Sequence, residues 1–360
     1  MPLCQKNKVW RHVFVTRNSN SLIRDTMEES TTDRVNSTPQ FVHFVGQTTS
    51  EKILKTTLFG LVQLIGICGN CLVIISISRE RQLRSNHYFV VNILAVLDLI
   101  MLLSSLFENS IRPWHAGAAT ITESSIIFCK IWNVWRHWLV IVEAQLLLII
   151  GVLRYRAVCR PHQPALQRRK LMSCVGFFTF FLPTVWLIPY FLARNIQDGK
   201  CSETWIGNIL YDIYYIADVV YTLFLPLLLL SILYSMVYRG LMSHQRQMNS
   251  TLETANEDQH SSARHARNKR ISKVAVTIVV VFAISSLPST IGWLLLAYSG
   301  VYNYRFMEWS ILIYYGGVSA ANPIVYGIQD KAIRCGYNRN LKKLWQWFKF
   351  KTRGSYNVPS

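Results

Sequence analysis

The sequence has few charged side chains and none of the motifs that mark common soluble enzymes. Charged residues make up 16% of its 360 residues, whereas hydrophobic residues make up 51%. A water-facing globular domain usually has about a quarter of its residues charged. No HExxH zinc motif, no nucleophile–base spacing and no phosphate-binding glycine loop is present. We therefore predict neither a soluble globule nor an enzyme, and no enzyme cofactor.

Acidic residues are also scarce, with 19 Asp and Glu against 38 Lys and Arg. Such an excess of positive charge is compatible with a nucleic-acid partner. Here, however, the basic residues stand in short clusters between long apolar runs. That placement is expected of loops that face the cytoplasm and its anionic lipids. We therefore predict membrane lipids, and no nucleic acid, as partners.

Seven apolar runs are long enough to cross a hydrocarbon core, which needs about 20 residues of helix. Prolines inside several runs are costly in a soluble helix but are tolerated in a membrane bundle, where neighbouring groups satisfy the freed carbonyls. The pattern predicts an all-α membrane protein of seven helices, numbered in chain order. The runs are Ile53–Ser78, Tyr88–Phe107, Ile126–Val158, Leu171–Leu192, Ile209–Tyr238, Ile271–Tyr298 and Met307–Ile328.

The basic clusters also predict the orientation. They follow runs 1 and 3, end the polar stretch 239–273 and continue in the tail 331–353, so these segments are expected in the cytoplasm. An odd number of helices then leaves the N-terminus outside the plasma membrane. Residues 1–52 become an extracellular tail that we expect to be disordered, and residues 53–328 the membrane domain. A sequon at Asn36 lies on that tail, where it can be glycosylated.

Polar residues inside the runs are costly in lipid and usually functional, so their order is informative. They include Gly69-Asn70 in helix 1, Asp98 in helix 2, Cys129 and, twenty-five residues later, Arg154-Tyr155 in helix 3, Trp186 in helix 4, Pro226 and Tyr234 in helix 5, Phe282 and Pro288 in helix 6, and Asn322-Pro323-Ile324-Val325-Tyr326 in helix 7. This order resembles the rhodopsin-like (class A) G-protein-coupled receptors over about residues 53–350, and among them the invertebrate neuropeptide receptors.

The resemblance implies a receptor that binds an extracellular ligand, here a neuropeptide, and activates a heterotrimeric G protein. It also implies a disulfide between Cys129 and Cys201, both on the oxidising side of the membrane. The switch between resting and active states is assigned by the resemblance to Arg154, Tyr155, Tyr234, Phe282, Pro288, Pro323 and Tyr326.

Two departures from the family concern this switch. The acidic residue that precedes the helix 3 arginine in the family is Leu153 here. Arg154 therefore lacks its usual restraint, so we expect it to face water or a carbonyl, or the resting state to be less stable. The bulky aromatic residue two positions before Pro288 is replaced by Ser286. The conformational change on activation must then be relayed by other side chains.

A second carboxyl group is predicted beside Asp98. Glu143 stands eleven residues before Arg154, at a level where the family usually carries a serine that faces the helix 2 acid. Ser319 and Asn322 of helix 7 are expected in the same pocket. Two carboxylates in a low-dielectric site cannot both ionise cheaply, so they share a proton or hold a cation such as Na⁺. The alternative is a protonated Glu143 that is simply hydrogen-bonded.

The ligand-facing positions argue against receptors for amines and for light. Arg136 occupies the place of the aspartate that holds an ammonium group in amine receptors, and Gly316 the place of the retinal lysine in opsins. Arg136 is suited to clamp a carboxylate of the ligand, or it pairs with Glu108 or Glu308. Acidic and aromatic side chains complete a vestibule that suits a peptide, and the candidates are Glu108, Asp218, Trp293 and Glu308.

The segment 329–360 is predicted to contain a short amphipathic helix on the cytoplasmic membrane surface. Apolar residues recur at three- and four-residue steps from Ile333 to Phe348, with lysines between them. Gly336 is expected to break this helix early. Cys335 is a candidate for palmitoylation, with a free thiol as the alternative.

Two other functions fit parts of the sequence. Leu153 and Ser286 are compatible with a seven-helix binding protein that does not signal or is constitutively active. The acid pair is compatible with an ion-coupled transporter. The sequence has, however, neither the internal repeat nor the paired broken helices that transporters use.

Overall fold

The computed structural model describes residues 48–111, 126–164, 166–197, 200–205, 208–250, 258–299 and 304–354. Within these ranges, seven helices are long and apolar enough to cross a membrane. Each overlaps its predicted run, so the predicted seven-helix membrane protein is confirmed. The spans are Thr49–Arg79, Asn86–Phe107, Cys129–Cys159, Arg168–Ala193, Ile209–Ser243, Asn268–Leu295 and Arg305–Gln329.

The elements are labelled in chain order, with eight helices and two strands in the described ranges. A short 3₁₀ turn, Arg81–Leu83, joins the first two helices. The elements are α1 (Thr49–Arg79), α2 (Asn86–Ile111), α3 (Ile126–Cys159), α4 (Arg168–Ala193), β1 (Arg194–Gln197), β2 (Lys200–Glu203), α5 (208–250), α6 (Asp258–Ser299), α7 (304–329) and α8 (Lys331–Gly354).

Helix α1 begins before its predicted run because a capping box closes its first turn. The Thr48 hydroxyl accepts a hydrogen bond from the Glu51 backbone N–H at 3.2 Å. The Glu51 carboxylate accepts one from the Thr48 backbone N–H at 3.1 Å. These bonds satisfy two backbone donors that have no partner within the helix. A start at Ile53, chosen from apolar residues alone, missed this turn.

The bundle places polar side chains inside and apolar ones outside. Helix α3 lies at its centre and is the most buried of the seven spans, whereas α1 is among the most exposed. Asp98, Glu143 and Asn322 are buried, whereas Leu103 and Phe181 are exposed. This distribution fits a protein whose outer surface faces lipid, because buried polar groups need partners from neighbouring helices.

Pro183 in α4 and Pro226 in α5 each follow a π turn that was not predicted from the sequence. The π turns are Phe177–Phe181 in α4 and Val220–Phe224 in α5. Each ends in a bond spanning five residues, such as that from the Leu225 N–H to the Val220 carbonyl. Proline has no N–H to donate, so local rewinding of this kind accommodates it in a membrane helix. A third π turn, Ile313–Gly317, lies in α7.

The bundle has two distinguishable ends. Strands β1 and β2 form an antiparallel hairpin between α4 and α5, with Ile196 paired to Cys201. We call the end that carries this hairpin the hairpin end. At the opposite end, which we call the α8 end, α7 stops at Gln329 and α8 begins two residues later. The hairpin was not among the predicted elements.

Helix α8 runs through Gly336 without a break, so the predicted break is wrong. A Cβ on Gly336 would lie 2.7 Å from the Ser76 Cβ, which means that glycine lets α8 approach α1 closely. Asn340 donates to the Ser76 hydroxyl at 3.2 Å. Arg339 and Glu80 form an ion pair at 2.8 Å. The gain in packing offsets the helix-breaking tendency of glycine, which costs only about 1 kcal/mol.

Candidate functional site

A buried polar pocket lies where α1, α2, α3 and α7 meet. The Asn322 amide donates to Asp98 Oδ2 at 2.8 Å. The Asn70 amide donates to the carbonyl of Ser319 at 2.8 Å and to that of Gly66 at 3.0 Å. Glu143 interacts with both Asp98 and Asn322. The structure thus brings together the four residues predicted for this pocket and adds Asn70.

The pocket contains more acceptor oxygens than donors among the described residues. Glu143 Oε1, Asn70 Oδ1 and Asn322 Oδ1 are buried and have no hydrogen-bond partner there. Asp98 is 2% exposed and Glu143 6%. Two negative charges so far from water are costly without compensation. The arrangement can accept protons or one cation.

Five of the predicted switch residues lie in the half of the bundle near the α8 end, namely Arg154, Tyr155, Tyr234, Pro323 and Tyr326, whereas Pro288 lies nearer the other end of α6. Tyr234 and Tyr326 line a narrow cavity of about 10 Å³ together with Leu147, Ile150 and Ile278. The hydroxyl groups of both tyrosines are buried and make no hydrogen bond to the described residues. The cavity beside these two side chains is thus hardly larger than one water molecule.

The arginine of the switch is inside the protein. Arg154 is 5% exposed, so it does not face water, whereas the alternatives of a carbonyl partner or a less stable resting state stay predictions. Leu153 packs against the hydrophobic core. Tyr155 packs against a small cluster formed by Val158, Val237 and Leu241. The side chains that flank Arg154 therefore fix the end of α3 through apolar contacts.

Helix α6 carries a small hydroxyl where the family has a bulky ring. Ser286 is 1% exposed and donates to the Phe282 carbonyl at 2.7 Å. Phe282 is fully inside the core at 1% exposure. Pro288 in α6 and Pro323 in α7 both lie within continuous helix. The hydroxyl of Ser286 is thus satisfied within its own helix.

At the hairpin end, Arg136 contacts an aromatic ring that the sequence did not single out. Its guanidinium lies 3.9 Å from the centre of the Tyr315 ring, a cation–π contact between α3 and α7. The side chains of Glu108 and Glu308 lie outside the described ones, so pairing with them stays a prediction. Trp293 on α6 is 40% exposed.

Asp218 is buried between three helices instead of opening into the vestibule. It is 9% exposed. The Trp186 indole N–H of α4 donates to Asp218 Oδ1 at 2.8 Å. His137 Nε2 of α3 lies 3.0 Å from Asp218 Oδ2. The hydroxyl of Thr222, in the π turn of α5, donates to the Asp218 backbone carbonyl one turn earlier at 2.8 Å. Asp218 therefore ties α5 to α3 and α4.

A series of contacts joins this buried pair to the hairpin. Arg194 of β1 and Glu203 of β2 form an ion pair at 2.7 Å. The Arg194 guanidinium also lies over the Tyr190 ring, and that ring contacts His137 with 5.9 Å between ring centres. Burial alone lowers the pKa of Arg194, but Tyr190 and Glu203 raise it above its ordinary value, so Arg194 stays charged. None of Tyr190, Arg194, Glu203 and His137 was a predicted site residue.

Cys129 is disulfide-bonded and 1% exposed. Its sulfur lies 3.6 Å from the Asn195 carbonyl oxygen of β1. Cys201 is opposite Ile196, the next residue of β1. The Cys201 side chain lies outside the described ones, so its pairing with Cys129 stays a prediction that the hairpin register supports.

Two predicted modification sites carry less structural information. Asn36 lies outside the described residues. Cys335 on α8 is an exposed free thiol. Its palmitoylation stays a prediction.

The polar pocket inside a seven-helix bundle, the buried arginine at the end of α3 and the proline-containing α7 define a class of membrane receptor. Residues 69–326 match the family described as 7 transmembrane receptor (rhodopsin family), and the chain belongs to that family. It is a multi-pass membrane protein and a receptor, not an enzyme.

Two sequence relatives and one solved structure illustrate the similarity. The chain is 25% identical to the neuromedin-K receptor of Oryctolagus cuniculus, over 90% of this chain and 67% of that protein. It is 27% identical to trace amine-associated receptor 8b of Mus musculus, over 76% of this chain and 82% of that protein. The crystal structure of squid rhodopsin has a TM-score of 0.69 at 17% identity, covering 84% of this chain and 88% of that one. This last likeness concerns the fold.

Proposed function

We propose that this receptor lies in the plasma membrane with its N-terminus outside, that it binds a neuropeptide at the hairpin end and that it activates a heterotrimeric G protein at the α8 end. The orientation is supported by the basic residues of α8 and of the segments joined to that end, as in other cytoplasmic loops. The two sequence relatives leave the ligand class open, because one is named for neuromedin-K and the other for trace amines.

The observation that favours a peptide is the cation held at the hairpin end. Arg136 stands on α3 over the Tyr315 ring, at the position where amine receptors place an aspartate. A guanidinium repels an ammonium ligand but binds a carboxylate by donating two parallel hydrogen bonds to it. An acidic side chain or a free C-terminal carboxylate of a peptide supplies such a group.

The ligand class is tested with synthetic peptides in cells that express a G-protein dissociation reporter. The panel contains acidic peptides, amidated cationic peptides and biogenic amines. We expect an acidic peptide to activate the receptor and Arg136→Ala to lower its potency roughly tenfold or more, since hydrogen bonds to charged groups contribute about 1.5–3 kcal/mol. Arg136→Lys should lower the potency of that peptide less.

Lys130→Ala is the matched control, because Lys130 also stands on α3 with its ammonium over an aromatic ring, that of Phe191. The potency of the acidic peptide should change little in Lys130→Ala. An amidated cationic peptide that activates the receptor equally well with and without Arg136 would contradict the proposed anchor.

The output is proposed to run through Arg154, Tyr234 and Tyr326. Arg154→Ala should abolish ligand-stimulated nucleotide exchange while the amount of receptor at the cell surface stays near that of the parent protein. Exchange is measured with a radiolabelled GTP analogue on membranes, and surface receptor with an N-terminal tag. Ligand-stimulated exchange that survives in Arg154→Ala would contradict this assignment.

A constitutively active receptor is the second candidate, favoured by Leu153. This apolar residue packs on the core at the position where the family restrains the arginine with an acid. Leu153→Asp should lower basal nucleotide exchange, because the new carboxylate is adjacent to Arg154. Unchanged basal exchange in a membrane preparation where it is measurable would remove this candidate.

We also propose that the polar pocket holds Na⁺ in the resting state. The partnerless oxygens of Glu143, Asn70 and Asn322 support this proposal, because a hard cation prefers such oxygen ligands. A protonated Glu143 without a cation is the alternative.

A further inference from the structure

A groove opens on the outer face of the bundle between α1 and α7. It has a volume of about 490 Å³. Its walls are apolar and include Leu64, Ile65, Leu72, Ile324 and Ile328. Leu64, Ile65, Ile324 and Ile328 are exposed, although their helices cross the membrane. The groove therefore lies in contact with lipid, in the half of the membrane next to the α8 end.

The end of the groove nearest α8 is closed by Tyr337. Gly327 permits this closure, since a Cβ there would lie 3.0 Å from the Tyr337 ring. The Tyr337 hydroxyl donates to the Pro323 carbonyl at 3.1 Å. Burial raises the pKa of Tyr337 above its ordinary value, so this hydroxyl keeps its proton. The groove thus ends in a fixed, neutral side chain.

Two cations stand at the rim beyond this closure. Arg334 donates to the Ile328 carbonyl at 3.2 Å, which places its guanidinium beside a residue of the groove wall. Lys331 is exposed one helical turn earlier and shares that face of α8. Within the described part of the chain, neither forms an ion pair.

The other charges nearby are already engaged. Arg339 is paired with Glu80 at 2.8 Å. Asp330 accepts from the Tyr88 hydroxyl at 2.9 Å and from the backbone N–H of Ala332 at 2.9 Å. The carboxylate next to the rim is therefore committed to the start of α8, and it leaves the charge of Lys331 and Arg334 available.

We propose that this groove is a binding site for one anionic phospholipid, with an acyl chain between α1 and α7 and its phosphate at Lys331 and Arg334. An apolar groove with a cationic rim at the membrane surface matches a molecule that is apolar along one part and negatively charged at one end. Basic sites beside membrane helices bind anionic headgroups for this reason. A sterol matches the walls but offers the rim no charge. The proposal does not depend on the ligand of the receptor.

The experiment uses the full chain in nanodiscs of phosphatidylcholine doped with a photoactivatable lipid. The probe is phosphatidylserine with a diazirine in one acyl chain, and the same diazirine chain on phosphatidylcholine is its comparison. After irradiation, labelled peptides are located by mass spectrometry. We expect phosphatidylserine to label peptides of α1 and α7 that line the groove well above its labelling of α4, and phosphatidylcholine to label all three alike.

The rim is tested with the double variant Lys331→Gln, Arg334→Gln. Each basic residue near an anionic membrane contributes about 1 kcal/mol, so loss of two should lower groove labelling by phosphatidylserine roughly thirtyfold. The matched control is Arg169→Gln, Lys170→Gln, since these exposed basic residues also stand at the α8 end, at the start of α4. Labelling should not change in the control.

The walls are tested by filling the groove. Cys68 lines it and is an exposed free thiol, and Cys174 is an exposed free thiol on α4. Cys68→Phe should reduce groove labelling severalfold, whereas Cys174→Phe should not. If Cys68→Phe does not fold, Leu64→Phe replaces it, with Leu61→Phe as control because Leu61 is exposed on α1 but outside the groove.

Three outcomes would overturn the proposal. Equal groove labelling by the two phospholipid probes would mean ordinary membrane contact. Displacement of the label by cholesterol at low mole fraction would make it a sterol site. Stronger labelling after Cys335→Ser would mean that an acyl chain on that thiol occupies the groove.

Discussion

The polar pocket and the network at the hairpin end are both buried clusters of polar groups, but they are assembled differently. In the pocket, acceptors outnumber donors, and Glu143, Asn70 and Asn322 each keep an oxygen without a partner among the described residues. In the network, Asp218 receives two donors from two other helices. The pocket is therefore suited to take up a charge, whereas the network is suited to hold helices together.

The largest expected effect is the loss of thermal stability when the Asp218 carboxylate is removed. Asp218→Ala removes the acceptor of the Trp186 N–H and the partner of His137, and a buried polar group without a partner costs about 1–3 kcal/mol. The apparent melting temperature of the purified receptor should fall strongly. Asp218→Asn keeps one acceptor oxygen, so its melting temperature should fall less.

Asp212→Ala is the control for this comparison, because Asp212 is an exposed residue on the same helix. Its melting temperature should match that of the parent protein. Equal melting temperatures of Asp218→Ala and the parent would show that the network does not hold α5 in place.

The second expected effect concerns ligand binding and leaves stability almost unchanged. Glu143→Gln keeps the shape of the pocket but removes one carboxylate, so the site loses much of its attraction for Na⁺. A cation that favours the resting state lowers agonist affinity, and this sodium effect should largely disappear in Glu143→Gln. It is measured by agonist competition binding in NaCl and in N-methylglucamine chloride at equal ionic strength.

Agonist binding by the parent receptor in the two salts is the control for this result. If its binding curves in the two salts coincide, the pocket holds no functional Na⁺ and Glu143 is an ordinary protonated residue. If Glu143→Gln keeps the full sodium effect, Asp98 alone carries it.

The smallest expected effect lies at the hairpin. Glu203→Gln breaks the ion pair with Arg194, but the two side chains are 31% and 15% exposed. Pairs that solvent reaches contribute about 0.2–1 kcal/mol, so the melting temperature should fall only slightly. Lys200→Gln in the same strand is the control. A loss as large as that of Asp218→Ala would mean that the hairpin ion pair supports the entire network.

The same contrast explains which features were predictable from sequence. Seven spans follow directly from the length of the apolar runs, and Asp98 and Glu143 stand out because a carboxyl group in mid-membrane is rare. Arg194 and Glu203 lie beyond the ends of the membrane spans, where charged residues are common, and nothing distinguished them or His137 from their neighbours. Their pairing depends on the hairpin and on the π turn of α5, and local sequence patterns specify neither.

Asp218 and Gly336 show how a residue type alone misleads. Asp218 was assigned to the ligand because it is acidic and near the mouth, yet its side chain is turned between α3 and α4. Gly336 was assigned to a helix break from its propensity, yet its missing side chain is what admits Ser76. The role of each residue is determined by its contacts with residues that are distant in the sequence.

The junction between α7 and α8 restricts how the α8 end can move. Asp330 is the only residue between these helices, and its backbone is extended. Helix α8 is attached to α1 through Gly336, Asn340 and Arg339, while Asp330 itself is bonded to Tyr88 of α2. Inward displacement of the end of α7 must therefore turn about one residue as a hinge. The Tyr88–Asp330 hydrogen bond opposes this turn, because it ties the hinge residue to α2.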